Sequence, residues 1–253
     1  MSPDRAEKWL EHKELTGVLF PHAFFIARKR DGFIQLYSVV DENVHAAESL
    51  ALVIKHFEQP AVFDQIGEDR WQEKQLVKAG GSHYQSLTRM TGSFVSMQNM
   101  IQVEPIIAEF AVSEDLSGIQ RILIENMDPL CEQIPADYEL AEAIANRQIL
   151  VHRDELSKHV DAFLMYERHG VMSHLRYWVC ASQARGNGIG RSLYRQYLRL
   201  NADAKRFILW VRDDNEKAKK IYLSYGMRFD RLKDTVWLYK KGINHEKSFG
   251  SAE

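Results

Sequence analysis

Residues 183–194, QARGNGIGRSLY, place three glycines within five positions and continue directly into a helical pattern. The apolar stretch LRYWVCASQA (175–184) precedes them and predicts a strand, and GRSLYRQYLRLNAD (190–203) predicts a helix. A strand, a glycine loop and a helix start form an anion site, because the first helical amides have no internal partners and the helix dipole is positive there. Arg185 and Arg191 flank the loop and add charged donors. The segment therefore predicts a phosphate-binding loop.

Two common phosphate loops do not fit this segment. A Walker A loop needs a lysine after its last glycine, and this chain has Arg191 there. A dinucleotide fingerprint needs the spacing GxGxxG in the first βα unit, whereas this loop has GxGxG and lies late in the chain. A glycine-rich turn that only lets a strand and a helix pack closely stays open as the alternative.

The spacing Arg-x-x-Gly-x-Gly at Arg185, Gly188 and Gly190 resembles the acetyl-CoA signature of the GNAT superfamily of N-acetyltransferases. A second pattern of that family follows in the right order, strand-Asn-x-x-Ala-x-x-x-Tyr-x-x-x-Gly, carried here by Asn215, Ala218, Tyr222 and Gly226. The resemblance covers about residues 104–242. It departs mildly at Ser182, where the family often has proline, and at Met227, where it usually has phenylalanine.

The resemblance implies a binding site for acetyl-CoA as co-substrate, and it implies no metal. The loop amides would bind the pyrophosphate, and the backbone of the preceding strand would pair with the pantetheine arm and splay from its neighbour. The cofactor-binding residues implied in this way are Val179, Cys180, Arg185, Gly186, Asn187, Gly188, Ile189, Gly190, Arg191, Ser192, Asn215, Ala218 and Tyr222.

The reaction implied is direct attack of a neutral amine on the thioester, with no covalent enzyme intermediate. Tyr222 matches the family tyrosine that acts as general acid toward the leaving thiolate, although packing in the core would also explain it. His174 is the first candidate for the general base, because an imidazole titrates near neutral pH, and Glu167 is the second. A water relay is a third route, and a backbone N–H around Val179 is expected to stabilise the oxyanion. Cys180 is interpreted as a small residue beside the cofactor rather than as a nucleophile.

The order of predicted elements suggests an internal repeat. Both halves show a hairpin with glycine at its turn, a helix, a strand, a helix ending in glycine, and a strand. Gly32 corresponds to Gly170 and Ser49 to Ser192, with five fewer residues between them in the first half, where the glycine loop would fall. Two unrelated α/β segments remain the alternative.

The resemblance implies an α/β (α+β) fold of the GNAT type, with a mixed, mainly antiparallel sheet flanked by helices. The predicted domains are a smaller α/β domain of related topology over residues 1–100, a degenerate GNAT-like half; a catalytic domain over 101–243; and a flexible tail over 244–253. Residues up to about Leu19 are expected to form a short helix. In the second half Ser113 is expected to cap one helix, and the next is expected to be capped by Asp137 or led in by Pro135.

Composition restricts the function classes further. The formal net charge of −2 gives no basic field for nucleic acid, and no apolar run predicts a membrane span. Cys131 and Cys180 lie far apart, which excludes a disulfide scaffold and favours the cytoplasm. A monomer or a homodimer is expected. Several acidic residues would favour a cationic acceptor, or else form a solvated helix face: Glu125, Asp128, Glu132, Asp137 and Glu139.

The sequence thus favours an acetyl-CoA-dependent N-acetyltransferase that acts on an amine of a small molecule or peptide. A catalytically weak CoA-binding or regulatory module with the same fold is the first alternative. A nucleotide or phosphate binder that uses the same loop is the second.

Overall fold

The computed structural model describes residues 11–12, 14–20, 23–40, 46–97 and 108–240. They divide into two compact units, one made of the described residues up to 85 together with 235–240 and the other of the described residues from 86 to 234. Strands β5 (Ser82–Gly92) and β11 (Arg228–Tyr239) contribute residues to both units. The predicted domain boundary near residue 100 and the predicted tail 244–253 lie outside the described residues, and the predicted division into domains stays a prediction.

The first unit is a sheet with two helices. Its elements in chain order are β1 (Leu15–Phe20), β2 (Ala23–Lys29), β3 (Ile34–Val40), α1 (Ala46–His56), β4 (Ala61–Ile66), α2 (Arg70–Lys78) and the start of β5. The strand order is β1-β2-β3-β4-β11-β5. The β1–β2 and β2–β3 pairs are antiparallel and the β3–β4 pair is parallel.

Local sequence signals account for most of this unit. Gly32 has φ 78° in the predicted hairpin turn, a conformation that glycine adopts without strain. Asp69 caps α2 by accepting the Trp71 amide at 2.9 Å, and Gly80 follows its end with φ 93°. The short helix expected up to Leu19 is wrong for residues 15–20, because they pair as a strand with β2 in register Leu15↔Arg28 to Phe20↔Ala23. Tertiary pairing has overridden a weak local pattern there.

The second unit carries the predicted motifs. Its further elements are α3 (Phe94–Met97), β6 (Glu109–Phe110), α4 (Leu116–Asn126), α5 (Asp137–Ala145), β7 (Ile149–Arg153), β8 (Val160–His169), β9 (Met172–Cys180), α6 (Ile189–Leu200), β10 (Arg206–Arg212) and α7 (Glu216–Ser224). The strand order is β11-β5-β10-β9-β8-β7-β6. The β9–β10 pair is parallel, and the β5–β10, β8–β9, β7–β8 and β6–β7 pairs are antiparallel. This mixed, mainly antiparallel sheet flanked by helices confirms the predicted fold class.

Alternation along β8 and β9 supplies two apolar cores, one on each face of this sheet. On one face, Leu164 and Leu175 pack with buried residues of α6 such as Leu193 and Tyr197. On the other face, the core includes buried residues of β8, β9, α4 and α5, among them Phe163, Val179, Ile119 and Leu140. The glycine loop therefore leads from β9 to a helix on a defined face.

Two helix starts differ from the prediction. Ser113 is the first residue of a short 3-10 turn, Ser113–Asp115, and not its cap; the Asp115 carboxylate accepts the Val112 amide at 2.8 Å. Asp137 is the first residue of α5, while the Glu139 carboxylate accepts the Ala136 amide at 2.8 Å. Pro135 precedes that start, as predicted. In both cases a carboxylate in the first turn reaches back to the amide of the residue before the turn, as the acidic residue of a capping box does.

The two units share the element order that suggested the repeat. Hairpin β2–β3, α1, β4, α2 and β5 correspond to hairpin β8–β9, α6, β10, α7 and β11. In each unit the second hairpin strand runs parallel to the strand that follows the helix. The two units thus share this element order and strand direction, and the descent of the smaller one from a GNAT-like half stays a prediction.

Candidate active site

Strands β9 and β10 separate toward their carboxyl ends. Their ladder runs from Arg206↔Met172 to Leu209↔Leu175. Beyond this last pair β9 continues to Cys180 and β10 to Arg212. No further β9–β10 pair occurs within the described residues. The resemblance implies a separation of this kind. The opening lies where a substrate arm could pair with strand backbone.

The backbone amides of two residues of β9 point toward this opening. The Ala181 amide donates to the Asp161 carbonyl at 2.8 Å, on the β8 side, and Val179 pairs with Phe163. Because amides alternate in direction along a strand, the Val179 amide also faces β8, and those of Trp178 and Cys180 face the opening. The amides that face the opening near Val179 are therefore those of its two neighbours, and the oxyanion donor stays a prediction.

Each glycine of the loop has its own structural reason. Gly186 and Gly188 have φ 89° and 79°, and no atom lies within 4 Å of a Cβ built on either one. These two glycines provide left-handed turns, while their outward side stays open. Gly190 is different, because a Cβ there would lie 3.2 Å from the Cys180 sulfur and 3.3 Å from the Trp178 indole nitrogen. Gly190 thus lets the first turn of α6 lie directly on the end of β9.

The start of α6 offers unpaired amides. Gly188 is its N-cap residue, and the first intrahelical bond runs from the Ser192 amide to the Gly188 carbonyl at 3.0 Å. The amides of Ile189, Gly190 and Arg191 precede that bond and belong to the part of a helix that has no internal acceptor. Asn187, Gly188 and Arg191 are exposed. A phosphate group fits this geometry.

Arg185 holds the loop to its surroundings. Its Nε donates to the Cys180 carbonyl at 3.0 Å, and its NH2 group donates to Asn126 Oδ1 at 2.5 Å. The guanidinium thereby connects the end of β9 with the end of α4. Both flanking arginines are exposed, and in this arrangement Arg185 is the one that shapes the loop.

Tyr222 of α7 faces β9. Its ring centroid lies 5.8 Å from that of Trp178, and it packs against the core on the α6 face. Burial raises the pKa of Tyr222 above its usual range, and the negative charge of Glu132 raises it further. The phenol is therefore protonated at neutral pH, which a proton donor requires. Asn215 caps the same helix by accepting the Ala218 amide at 3.1 Å, and Ala218 packs against the same core.

The two predicted bases lie before the opening. His174 is paired in the ladder with Glu167 of β8 and with Ile208 of β10. The Glu167 carboxylate lies 3.3 Å from His169 Nε2 and 3.6 Å from Arg176 NH1. His174 and Glu167 thus neighbour each other where β9 is paired on both sides.

Burial keeps the thiol of Cys180 in its protonated form. It raises the pKa of Cys180, and the negative charge of Asp161 adds to this effect. Since the thiolate is the reactive form, Cys180 has the properties of a packing residue at the loop.

Residues 119–227 match the model of the Acetyltransferase (GNAT) family. This part of the chain belongs to the GNAT superfamily. A search of curated proteins found no match. The structure is similar to GCN5-related N-acetyltransferases from Sphaerobacter thermophilus (TM-score 0.61, 12% identity, 92% of this chain and 85% of that one) and Kribbella flavida (0.61, 11%, 94% and 95%). It is also similar to a tandem GNAT protein from the clavulanic acid biosynthesis pathway (0.59, 11%, 86% and 78%). At these identities the likeness establishes the GNAT fold, and the family supports acyl transfer as the general activity.

Several residues at this GNAT site had no signal in the motifs. Trp178 donates its indole N–H to the Gly190 carbonyl at 3.0 Å, and Asn126 holds Arg185. Arg212 NH1 lies 3.8 Å from Glu132 Oε2. The sequence alone indicated Glu132 only as one of five acidic residues. An aromatic residue facing the loop helix was readable from the alternation of β9, but the Glu132–Arg212 contact joins segments 80 residues apart in the chain.

Neither a membrane span nor a metal site is seen among the residues that the structure describes. None of their helices is both long and apolar enough to cross a bilayer. They also contain no group of three or more His, Cys, Asp or Glu side chains placed to hold a metal ion.

Proposed function

We propose that this chain is an acetyl-CoA-dependent N-acetyltransferase that moves an acetyl group to an amine of a small molecule or peptide. The observation that carries the proposal is the opening between β9 and β10, which leads directly into the glycine loop and the unpaired amides of α6. The edge of β9 could pair with the amide-containing arm of acetyl-CoA. The loop and the start of α6, which follow β9 directly, could bind its pyrophosphate. GNAT membership of residues 119–227 supports the same assignment.

Acetyl-CoA fits the residues present. The open side of Gly186 and Gly188 leaves room for a pyrophosphate at the amides of residues 189–191, and Arg191 adds a charged donor. The amides of Trp178 and Cys180 can donate to the pantetheine arm and to the thioester oxygen. Such preorganised donors stabilise the charge that develops on that oxygen.

Tyr222 then acts on the leaving group. When bound, acetyl-CoA supplies an activated acyl carbon and a thiolate leaving group. The protonated Tyr222 phenol donates to the sulfur, and its packing beside Trp178 keeps the donor in place. Asn215 fixes the helix that carries Tyr222 by capping it.

The proposal extends to the remaining parts of the chain. The first unit is a degenerate half-copy whose sequence lacks the glycine loop. The assembly is a monomer or homodimer in the cytoplasm, with no metal, membrane or nucleic-acid partner. The two widely separated cysteines support a reducing compartment.

The test is thiol release. Purified protein is mixed with acetyl-CoA and a panel of amines that includes a polyamine, lysine and an aminoglycoside, and free thiol is followed with time. Release that depends on an amine supports the proposal. A thermal shift with acetyl-CoA but no release from any acceptor would favour a CoA-binding module. A shift with nucleotides and none with acetyl-CoA would favour a nucleotide binder, since a ligand that binds the native state raises apparent stability.

A further inference from the structure

The connection between α4 and α5 reaches both strands at the opening. The Tyr177 hydroxyl of β9 lies 3.0 Å from the Glu132 carbonyl oxygen and 2.8 Å from that of Gln133. From β10, Arg212 NH1 lies 3.8 Å from Glu132 Oε2. Tyr177 and Arg212 both lie beyond the last β9–β10 ladder pair, Leu209↔Leu175. The backbone of Glu132 therefore contacts β9 and its carboxylate lies near β10, in the region where the two strands separate.

This connection has a fixed conformation. The Asp128 amide donates to Glu132 Oε2 at 2.7 Å, and the Leu130 amide donates to Asp128 Oδ1 at 3.0 Å. Gln133 has φ 43°, a left-handed conformation that non-glycine residues adopt at a cost. Its carbonyl contact with Tyr177 helps to hold it there. The position of the Glu132 carboxylate is thus defined by the protein.

The charges around Glu132 leave it open to a cation. Arg212 makes its short contacts with Asp214, from Nε to Oδ1 at 3.0 Å and from NH2 to Oδ2 at 2.7 Å. Its distances to Asp128, 4.0 Å, and to Glu132, 3.8 Å, exceed hydrogen-bond length. Among the described residues the Glu132 carboxylate accepts one hydrogen bond, from the Asp128 amide, and since a carboxylate has about four acceptor sites an ammonium ion can still donate to it.

Glu132 also faces the proposed acid. Its charge is close enough to raise the pKa of Tyr222. Burial raises the pKa of Glu132 above that of an ordinary glutamate, which makes its carboxylate a stronger base. A carboxylate in such a position can accept a proton during the reaction and later release it. A candidate base and a candidate acid thus share the same opening.

We propose that Glu132 binds the acceptor as an ammonium ion and removes its proton, so that the substrate class is an amine that arrives protonated. This inference rests on the proposed function. The ammonium gives one proton to the Glu132 carboxylate, and the amine nitrogen bonds to the acetyl carbon. The carbon–sulfur bond breaks as Tyr222 protonates the sulfur. The second nitrogen proton returns to Tyr222 through water, and Glu132 releases its proton to solvent, which leaves an amide, free CoA and one proton.

The test compares Glu132→Gln with Glu125→Gln in the full chain. Glu125 belongs to the same acidic group but pairs with Arg121 on the exposed side of α4, so its variant controls for general charge. The first measurement is binding of butylamine, with neutral butan-1-ol as reference, to protein saturated with CoA. The second is kcat/KM against pH for the best amine of the panel. Melting temperature and acetyl-CoA affinity are measured for every variant, and Glu132→Asp, which keeps the charge, serves if Glu132→Gln does not fold.

We expect Glu132→Gln to weaken butylamine binding at least tenfold and to lower kcat/KM about a hundredfold at neutral pH. Its acetyl-CoA affinity should stay within twofold of wild type. The acidic limb of the pH profile should vanish, although Asp128, Cys131, Arg212, Asp214 and Tyr222 still face the position. Glu132→Asp should bind butylamine more tightly than Glu132→Gln.

The outcomes separate this inference from the proposed function. Loss of butylamine binding in Glu132→Gln without thiol release from any variant would support the role of Glu132 and reject the transferase. Wild-type protein that binds no butylamine, or a Glu132→Gln variant that retains both binding and rate, would overturn the role of Glu132. Loss of amine binding in His174→Gln or Glu167→Gln, and not in Glu132→Gln, would assign the base to one of those residues instead.

Discussion

The indole N–H of Trp178 donates a hydrogen bond to the main-chain oxygen of Gly190 across 3.0 Å. The contact joins the end of β9 to the first turn of α6, and the missing Cβ of Gly190 allows the two to meet. The third glycine of the loop therefore has a packing role, while Gly186 and Gly188 provide the turns. Close packing, which the sequence left open as the alternative, thus accounts for Gly190, while anion binding at Gly186 and Gly188 stays a prediction.

Gly188→Glu should abolish tight acetyl-CoA binding. The carboxylate would enter the open side of the loop and repel the pyrophosphate, and we expect affinity to fall at least about thirtyfold, or about 2 kcal/mol. Gly32→Glu is the matched control, because Gly32 has φ 78° against 79° for Gly188 and is equally open. Both variants carry similar backbone strain, so calorimetric titration with acetyl-CoA isolates the effect of position. Equal affinity in the two variants would remove the loop from the binding site.

Much of the fold was predictable because its signals are local. The Asp31-Gly32 turn, the Asp69 cap and the alternation in β8 and β9 each depend on a few neighbouring residues, and the structure contains all of them. Residues 15–20 were not predictable in this way, since their strand exists through pairing with β2. The cap predicted at Ser113 is wrong because the turn begins one residue earlier than that cap allows: Ser113 is already its first residue, and Asp115 accepts the Val112 amide in front of it.

The candidate site could be predicted only where its residues lie close together in the sequence. The glycine loop and the Asn215–Gly226 pattern are contiguous, and their residues lie together at β9, α6 and α7. Glu132 and Arg212 are brought together by the way the α4–α5 connection crosses the opening. No spacing rule relates residues so far apart, so the sequence presented Glu132 as one acidic residue among several.

Cys180→Ala should retain at least about half of the wild-type turnover, because direct transfer needs no thiol nucleophile. Burial raises the pKa of both Cys180 and Cys131, so neither presents a thiolate at neutral pH. A thiol reagent such as Ellman's should react slowly with native protein and quickly with both thiols in urea. Rapid modification of native Cys180 together with loss of turnover in Cys180→Ala would argue for covalent catalysis.

Gly226→Ala should destabilise the protein more than Gly80→Ala. Both glycines follow helices and have similar φ values, 88° and 93°, which cost an L-residue about 1–2 kcal/mol. A Cβ on Gly226 would also collide with the Ser96 carbonyl oxygen, whereas nothing lies within 4 Å of a Cβ at Gly80. Urea unfolding should give losses of about 1 kcal/mol for Gly80→Ala and about 2–4 kcal/mol for Gly226→Ala. Similar losses would mean that the loop carrying Ser96 moves aside freely.

Tyr222→Phe should lower kcat about a hundredfold and leave the KM for acetyl-CoA nearly unchanged, because the hydroxyl acts on the leaving thiolate and not in binding. Tyr225→Phe is the matched control: Tyr225 lies on the turn after the same helix, and its ring lies 6.0 Å from Trp178 against 5.8 Å for Tyr222.

The pH dependence of the rate tests the same role. Since burial raises the pKa of Tyr222, the phenol stays protonated beyond the ordinary tyrosine pKa of about 10. The wild-type rate should therefore show no alkaline loss from Tyr222 below that pH. Steady-state kinetics of both variants across the pH range test this role. Equal kcat values for Tyr222→Phe and Tyr225→Phe would mean that Tyr222 is a packing residue and not the general acid.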